Sequence, residues 1–115
     1  DPEKLSKHAA RALEEMERHG GFASSMSIWE LGTKIKNGKL EIGMDIQELA
    51  RRIERSGCVE LVPVHTEVWL RSLALRWAHR DPADRVIVAT ALLKGVPLLT
   101  KDATIRSFRG VKTVW

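Results

Sequence analysis

Asp81-Pro82-Ala83-Asp84-Arg85-Val86-Ile87-Val88-Ala89-Thr90-Ala91-Leu92-Leu93 is the stretch whose reading decides the fold. Its opening carries strong helix-start chemistry. An aspartate stands ready to accept a bond from the first free N–H groups, and a proline follows where no N–H is needed. Asp84 at the third helical position faces the positive end of the helix dipole. From Val86 onward the residues are apolar nearly all round, which predicts a central, buried helix rather than a surface one. Gly95 stops it, and Val96-Pro97-Leu98-Leu99-Thr100 reads as a buried strand. A buried helix followed at once by an apolar strand is the repeating unit of a layered α/β domain.

Working outward, the same alternation continues. Residues 2–19 predict an amphipathic helix with Leu5, Ala9, Leu13 and Met16 on one face, stopped by Gly20-Gly21. Residues 22–25 predict a short strand, and a helix from Ser27 carries Ile28, Leu31 and Ile35 to Asn37-Gly38. Asp45 is set to cap a helix holding Ile46, Leu49 and Ile53, closed by Gly57. A strand over 59–64, broken by Pro63, precedes a helix over 66–77 with Val68, Trp69, Leu73 and Trp77. Asp102 opens a short helix over 103–108, and residues 111–115 form a last strand. The class is therefore α/β with a mainly parallel sheet. No repeat, linker or low-complexity tract divides the chain, so a single domain over residues 1–115 is expected.

Composition narrows the function. A hydrophobic fraction of 43% and a charged fraction of 30% belong to an ordinary folded domain. Nineteen Lys and Arg against fifteen Asp and Glu leave a net charge of +4, which suits a nucleic acid or an acidic peptide partner. Cys58 is the one cysteine, so neither an intrachain disulfide nor a thiol metal site is available, and its apolar neighbours predict a buried, inert thiol. No apolar run is long enough to span a membrane. Histidines His8, His19, His65 and His79 lack zinc-ligand spacing, and His79 before the acidic turn reads as part of a solvated loop. The four tryptophans, Trp29, Trp69, Trp77 and Trp115, are expected mostly in the core, with one or two left to anchor a partner.

The chemistry lies in the acids. In open α/β sheets the ligand crevice lies beyond the carboxyl ends of the strands. Asp102 follows the strand over 98–100, Asp84 sits in the first turn of the buried helix, and Glu30 comes in the first turn after the strand over 22–25. Carboxylates gathered there would repel one another unless a cation neutralised them, and a hard ion such as Mg²⁺ or Mn²⁺ takes such oxygen ligands. Each acid also has a plainer role. Asp81, Asp84 and Asp102 can simply cap helices or complement a dipole, and Glu30 can pair with Lys34 four residues on.

Taken together, the blocks resemble a known family. Ser24-Ser25-Met26-Ser27-Ile28-Trp29-Glu30-Leu31, with Lys34 and Gly38-Lys39-Leu40, is similar to the S-x-x-S-x-W-E-x-x-x-K … G-K-L block of VapC-like PIN-domain toxins of type II toxin–antitoxin systems. His79-Arg80-Asp81-Pro82-Ala83-Asp84-Arg85 resembles their H-R-D-P-F-D-R turn, and Leu98-Leu99-Thr100-Lys101-Asp102 their L-V-T-R-D strand end. The resemblance implies a three-layer α/β/α fold and a cytoplasmic endoribonuclease that uses Mg²⁺ or Mn²⁺. It further implies an RNA substrate, a cognate antitoxin protein that inhibits the enzyme, and a homodimer. Carried over by position, Glu30, Asp84 and Asp102 are the catalytic, metal-holding acids, Asp81 is a weaker ligand, and Thr100 and Arg85 are supporting residues. The ion would activate a water for in-line attack on the phosphodiester, with the carboxylates holding the ion and orienting the water.

One family block has no counterpart. The family's first acid lies near the end of an N-terminal strand, in an L-D-T-x-x-x-L-W block, and Asp1-Pro2-Glu3-Lys4-Leu5-Ser6 looks like the segment that follows it. The resemblance thus implies a domain whose first strand lies outside the given sequence. Two other readings stand beside the enzyme. One is a catalytically incomplete PIN domain acting as an RNA- or protein-binding module. The other is a phospho-acceptor receiver domain, against which the Trp29-Glu30 and Asp81-to-Arg85 blocks speak.

Overall fold

The structure is a computed structural model that describes residues 11, 14, 18–100 and 102–114, with nothing described of the Leu99 side chain. Most of the helix expected over 2–19, and Trp115, lie outside the described residues. In chain order the elements are β1 (Gly21–Ser24), α1 (Met26–Lys36), α2 (Ile46–Ser56), β2 (Val59–Val62), α3 (Thr66–Ala74), α4 (Pro82–Lys94), β3 (Leu98–Leu99), α5 (Ala103–Arg106) and β4 (Thr113–Val114).

Helix α4 forms where the sequence chemistry places it. The Asp81 carboxylate accepts from Ala83 N at 2.9 Å, Pro82 takes the first helical position, and Gly95 ends the helix in the left-handed region at φ 65°. Val86, Val88, Ala89, Thr90 and Ala91 are all buried, so every face of the middle of the helix is covered. Its one buried polar side chain in that stretch is satisfied within the helix, since the Thr90 hydroxyl donates to Val86 O at 2.8 Å. Val68 of α3, Val86 and Ala89 form the centre of the core, with Met26, Val64 and Leu93 packed around them. Helix α2 starts and stops as expected, with the Asp45 carboxylate accepting from Glu48 N at 2.8 Å and Gly57 closing it at φ 69°.

Among the described residues all strand pairing is parallel, in keeping with an α/β domain. β1 runs beside β2 from Gly21 opposite Val59 to Ser24 opposite Val62. β3 runs beside β4, Leu98 opposite Thr113 and Leu99 opposite Val114. Among the described residues these are two separate ladders rather than one continuous sheet. β3 is shorter than the apolar run over 96–100 for a definite reason. Val96 N is spent on Ala91 O at the end of α4, and Pro97 has no N–H to give.

Three expectations are corrected. Helix α3 stops at Ala74 instead of reaching Trp77, because Leu75 turns extended at ψ 131° and the carbonyls beyond it are claimed by Arg85. The described tryptophans do not fill the core: Trp29 is 64% and Trp69 42% exposed, Trp77 is half-buried, and among the described residues the fully buried side chains are valines and an alanine. Bulky rings have no room where α3 and α4 pack through Val68, Val86 and Ala89. Cys58 is half-exposed rather than buried, its thiol 3.5 Å from Ser56 O.

Val86→Ala should lower the unfolding free energy by about 2–3 kcal/mol, because it opens a void at a site with no solvent access. Leu73→Ala, at a position 77% exposed, should change it by less than about 0.5 kcal/mol. Urea denaturation of the two variants checks the contrast.

Candidate metal centre

The N-terminus of α4 gathers three side chains of metal-ligand type, His79, Asp81 and Asp84. Asp84, in its first turn, is only 14% exposed at the side chain, and its Oδ2 lies 2.7 Å from His79 Nε2. An ionised carboxylate can only accept, so Nε2 carries the proton and donates it. Asp81 stands beside them: His79, Asp81 and Asp84 each bring one ligand-type atom within 4.8 Å of the others. The capping role expected of Asp81 is real, but it occupies Oδ1 with Ala83 N. The helix dipole stabilises both anions at this end.

Glu30 comes from a different helix, α1. It lies in the second turn of α1, which starts at Met26, so the expectation of a first-turn acid is corrected by one turn. α1 follows directly from β1, and the buried Ser24 hydroxyl at the strand end accepts from Met26 N at 3.1 Å to start it. Burial pushes the Glu30 carboxyl above the usual carboxylate range. The negative charges of Asp84 and Asp81 push it further, Lys34 pulls it back, and Asp102 adds a smaller upward push. Four acids from three segments of the chain therefore share one electrostatic field. Lys34 lies near enough to be felt, but it forms no ion pair with Glu30 among the described residues, and the burial and aspartate effects both exceed it.

Asp102 arrives just past the carboxyl end of β3. Its Oδ1 accepts from Thr104 N at 2.8 Å and Ile105 N at 3.2 Å, which caps α5. Thr100 Oγ1 accepts from Asp102 N at 3.0 Å and so shapes the turn that presents the acid. Asp102 Oδ2 makes no hydrogen bond among the described residues and remains available to a ligand.

Arg85 has a different task from its neighbour. All five guanidinium N–H groups are used on four backbone carbonyls. Nε and Nη2 bind Ser72 O at 3.1 and 2.7 Å, and Nη2 also binds Leu75 O at 3.0 Å. Nη1 binds Trp77 O at 2.7 Å and His79 O at 3.0 Å. Arg85 thus has no donor left for a phosphate, and it supports the site by pinning the segment that carries His79. That histidine is where sequence reasoning fell short: it is half-buried and bonded to Asp84, not solvated. The available signal was its spacing, five residues before Asp84 across a proline-started helix turn.

The donor set fits a hard divalent cation. Carboxylate oxygens predominate, like charges are already raising the Glu30 carboxyl, and a cation would relieve that repulsion.

The PIN domain family matches residues 1–111. Ribonuclease VapC22 of Mycobacterium tuberculosis (strain ATCC 25618 / H37Rv) is 31% identical over 121 aligned residues, spanning 100% of this chain and 88% of the relative. No solved structure matches the chain significantly. The chain belongs to the PIN domain family.

Two outcomes are expected of this geometry. Arg85→Lys should cost about 2–4 kcal/mol in unfolding free energy, since three donors on a flexible stem cannot satisfy four carbonyls held by a fork. Glu30→Gln should raise the melting temperature of the metal-free protein at pH 7. The folded-state pKa of Glu30 is raised above 4.5, so the protonated carboxyl favours the native state and that contribution is lost as pH rises through the folded value. The advantage of the variant should shrink as pH falls through the raised folded value and be gone below about 4.5, and thermal melts across pH 3.5–8 read it.

Proposed function

We propose that this PIN-domain chain is a divalent-metal-dependent endoribonuclease toxin, inhibited by a cognate antitoxin protein. The observation that carries the reading is the group of His79, Asp81 and Asp84, whose ligand-type atoms lie within 4.8 Å of one another, beside a Glu30 carboxyl that feels Asp84, Asp81 and Asp102. It occurs in a chain similar over its whole length to a protein named as a ribonuclease. Convergent carboxylates are costly for a fold, and a nucleic-acid phosphodiester needs the cation that makes them tolerable.

In this reading Glu30, Asp84 and Asp102 hold Mg²⁺ or Mn²⁺, and Asp81 assists through the oxygen that does not cap α4. When bound, the ion activates water and stabilises the negative charge that builds on the phosphodiester. The chain's own groups do the rest. His79 holds Asp84 through Oδ2 and leaves Oδ1 free to turn toward the ion. Asp102 is held by its bonds to Thr104 N and Ile105 N and by the Thr100 hydroxyl, so one oxygen stays fixed while the other is presented. The four acids repel a bare RNA backbone, and the net charge of +4 on the whole chain offsets that repulsion.

Partners follow from the same reading. RNA is the substrate, and the exposed Trp69, Leu70 and Leu73 on α3 supply apolar area for a protein partner, a second copy or the antitoxin. Among the described residues no helix is long and apolar enough to cross a membrane. One domain over residues 1–115, acting in the cytoplasm, completes the proposal.

The parent should cut labelled single-stranded RNA with Mg²⁺ or Mn²⁺ and stop on chelation. Asp84→Asn and Asp102→Asn should each cut at least about 100-fold more slowly while keeping the parent's circular dichroism spectrum. Added Mn²⁺ should raise the melting temperature of the parent more than that of Asp84→Asn. Undiminished cleavage by both asparagine variants would show that these acids are not the site.

A further inference from the structure

Arg76, Trp77, Ser107, Phe108, Arg109 and Gly110 line an open cleft of about 430 Å³. That is a ligand-sized volume, and none of the acids of the metal centre lines it. The cleft is built from two segments: the extended stretch that Arg85 pins after α3, and the turn after α5. Trp77 links the cleft to His79. Its ring centroid lies 4.9 Å from that of His79 and 5.1 Å from that of Phe108, tilted by 48° and 44°. His79 is in turn bonded to Asp84. A chain of three rings therefore leads from the metal centre into the cleft.

Two features say what the cleft takes. Arg76 and Arg109 are exposed and have no ion pair or hydrogen bond among the described residues. This contrasts with Arg51, Arg52 and Arg55, gathered on Glu48, and with the fully occupied Arg85. The second feature is Gly110. A Cβ there would lie 2.7 Å from Phe108 Cε1 and Cζ, so the ring lies directly against bare backbone and its position depends on that glycine. Flat aromatic walls with two uncommitted guanidinium groups match a base with its flanking phosphates. A purely apolar ligand would leave both guanidinium groups unmatched, and an acidic peptide would leave the ring faces without a flat partner.

We propose that the cleft is a subsite for single-stranded RNA, holding a nucleotide that neighbours the scissile phosphodiester. The base stacks against Phe108 and Trp77, and Arg76 and Arg109 take the phosphates on either side of it. Stacking is tolerant of base identity, so the subsite confers a preference for unpaired RNA rather than for one sequence. The inference rests on the ribonuclease reading and adds where the strand lies.

The test is equilibrium binding of a fluorescent single-stranded RNA oligonucleotide, read by anisotropy in chelator so that cleavage does not intervene, over a range of salt. Arg76→Ala/Arg109→Ala should weaken binding and reduce the salt slope by about 1.4, roughly 0.7 for each lost phosphate contact. Both residues are exposed, so this variant should fold as the parent does. Phe108→Leu should weaken binding about 5-fold or more. Gly110→Ala should act in the same direction by displacing the Phe108 ring. An oligonucleotide carrying an abasic residue at the cleft position should be insensitive to Phe108→Leu. Parent-like affinity and salt slope in the arginine pair, with parent-like affinity in Phe108→Leu, would overturn the subsite. Metal-dependent cleavage by the parent would then leave the ribonuclease reading standing. A parent that neither binds single-stranded RNA in chelator nor cuts it with Mg²⁺ or Mn²⁺ would overturn both.

Discussion

The five hydrogen bonds of the Arg85 guanidinium are the interaction on which the functional end of the molecule depends. They take the carbonyls of Ser72, Leu75, Trp77 and His79 out of solvent and hold them to the first turns of α4. Backbone carbonyls in an irregular segment must find donors, and only arginine offers five in a fixed fork. The consequence is local and precise in effect: α3 ends early, the chain runs extended, and Trp77 and His79 are set over the helix start. Asp84 and Arg85, adjacent in sequence, thus grip the same residue twice, one by its ring and one by its carbonyl.

The same helix start explains why capping and metal binding need not be competing accounts of an acid. A carboxylate has two oxygens. Asp81 and Asp102 each give one to backbone N–H groups at a helix N-terminus, and the cap fixes where the second oxygen sits. Capping is in this sense a means of positioning. Its modest stabilisation, about 0.5–2 kcal/mol, buys rigidity where a metal site requires it. Glu30 caps no helix, and its half-buried carboxyl is raised by burial and by Asp84, Asp81 and Asp102 against the pull of Lys34.

Packing decides where the large side chains go. A helix buried on every face needs small neighbours to approach closely, so valines and alanines occupy the centre while Trp29 and Trp69 face outward. The rings then become surface features. Trp77, at the junction, touches both the carboxylate-bound histidine and the cleft beside it.

Much of the fold was legible in the sequence because it is local. Helix starts at Asp45 and Pro82, stops at Gly57 and Gly95, and the apolar character of residues 86–93 are set by neighbours within one or two turns. The order of helices and strands, and hence parallel pairing, followed from that. The candidate acids were legible too, from their places at helix starts and strand ends. Tertiary structure alone decided that Glu30, Asp81, Asp84 and Asp102 share one field, that His79 faces Asp84, and that Arg85 serves carbonyls rather than phosphate. Those outcomes depend on contacts between residues far apart along the chain, or on carbonyls that carry no trace in the side-chain pattern. A periodicity reports which face of an element is apolar, but it is the packing of one element on another that determines which charges meet.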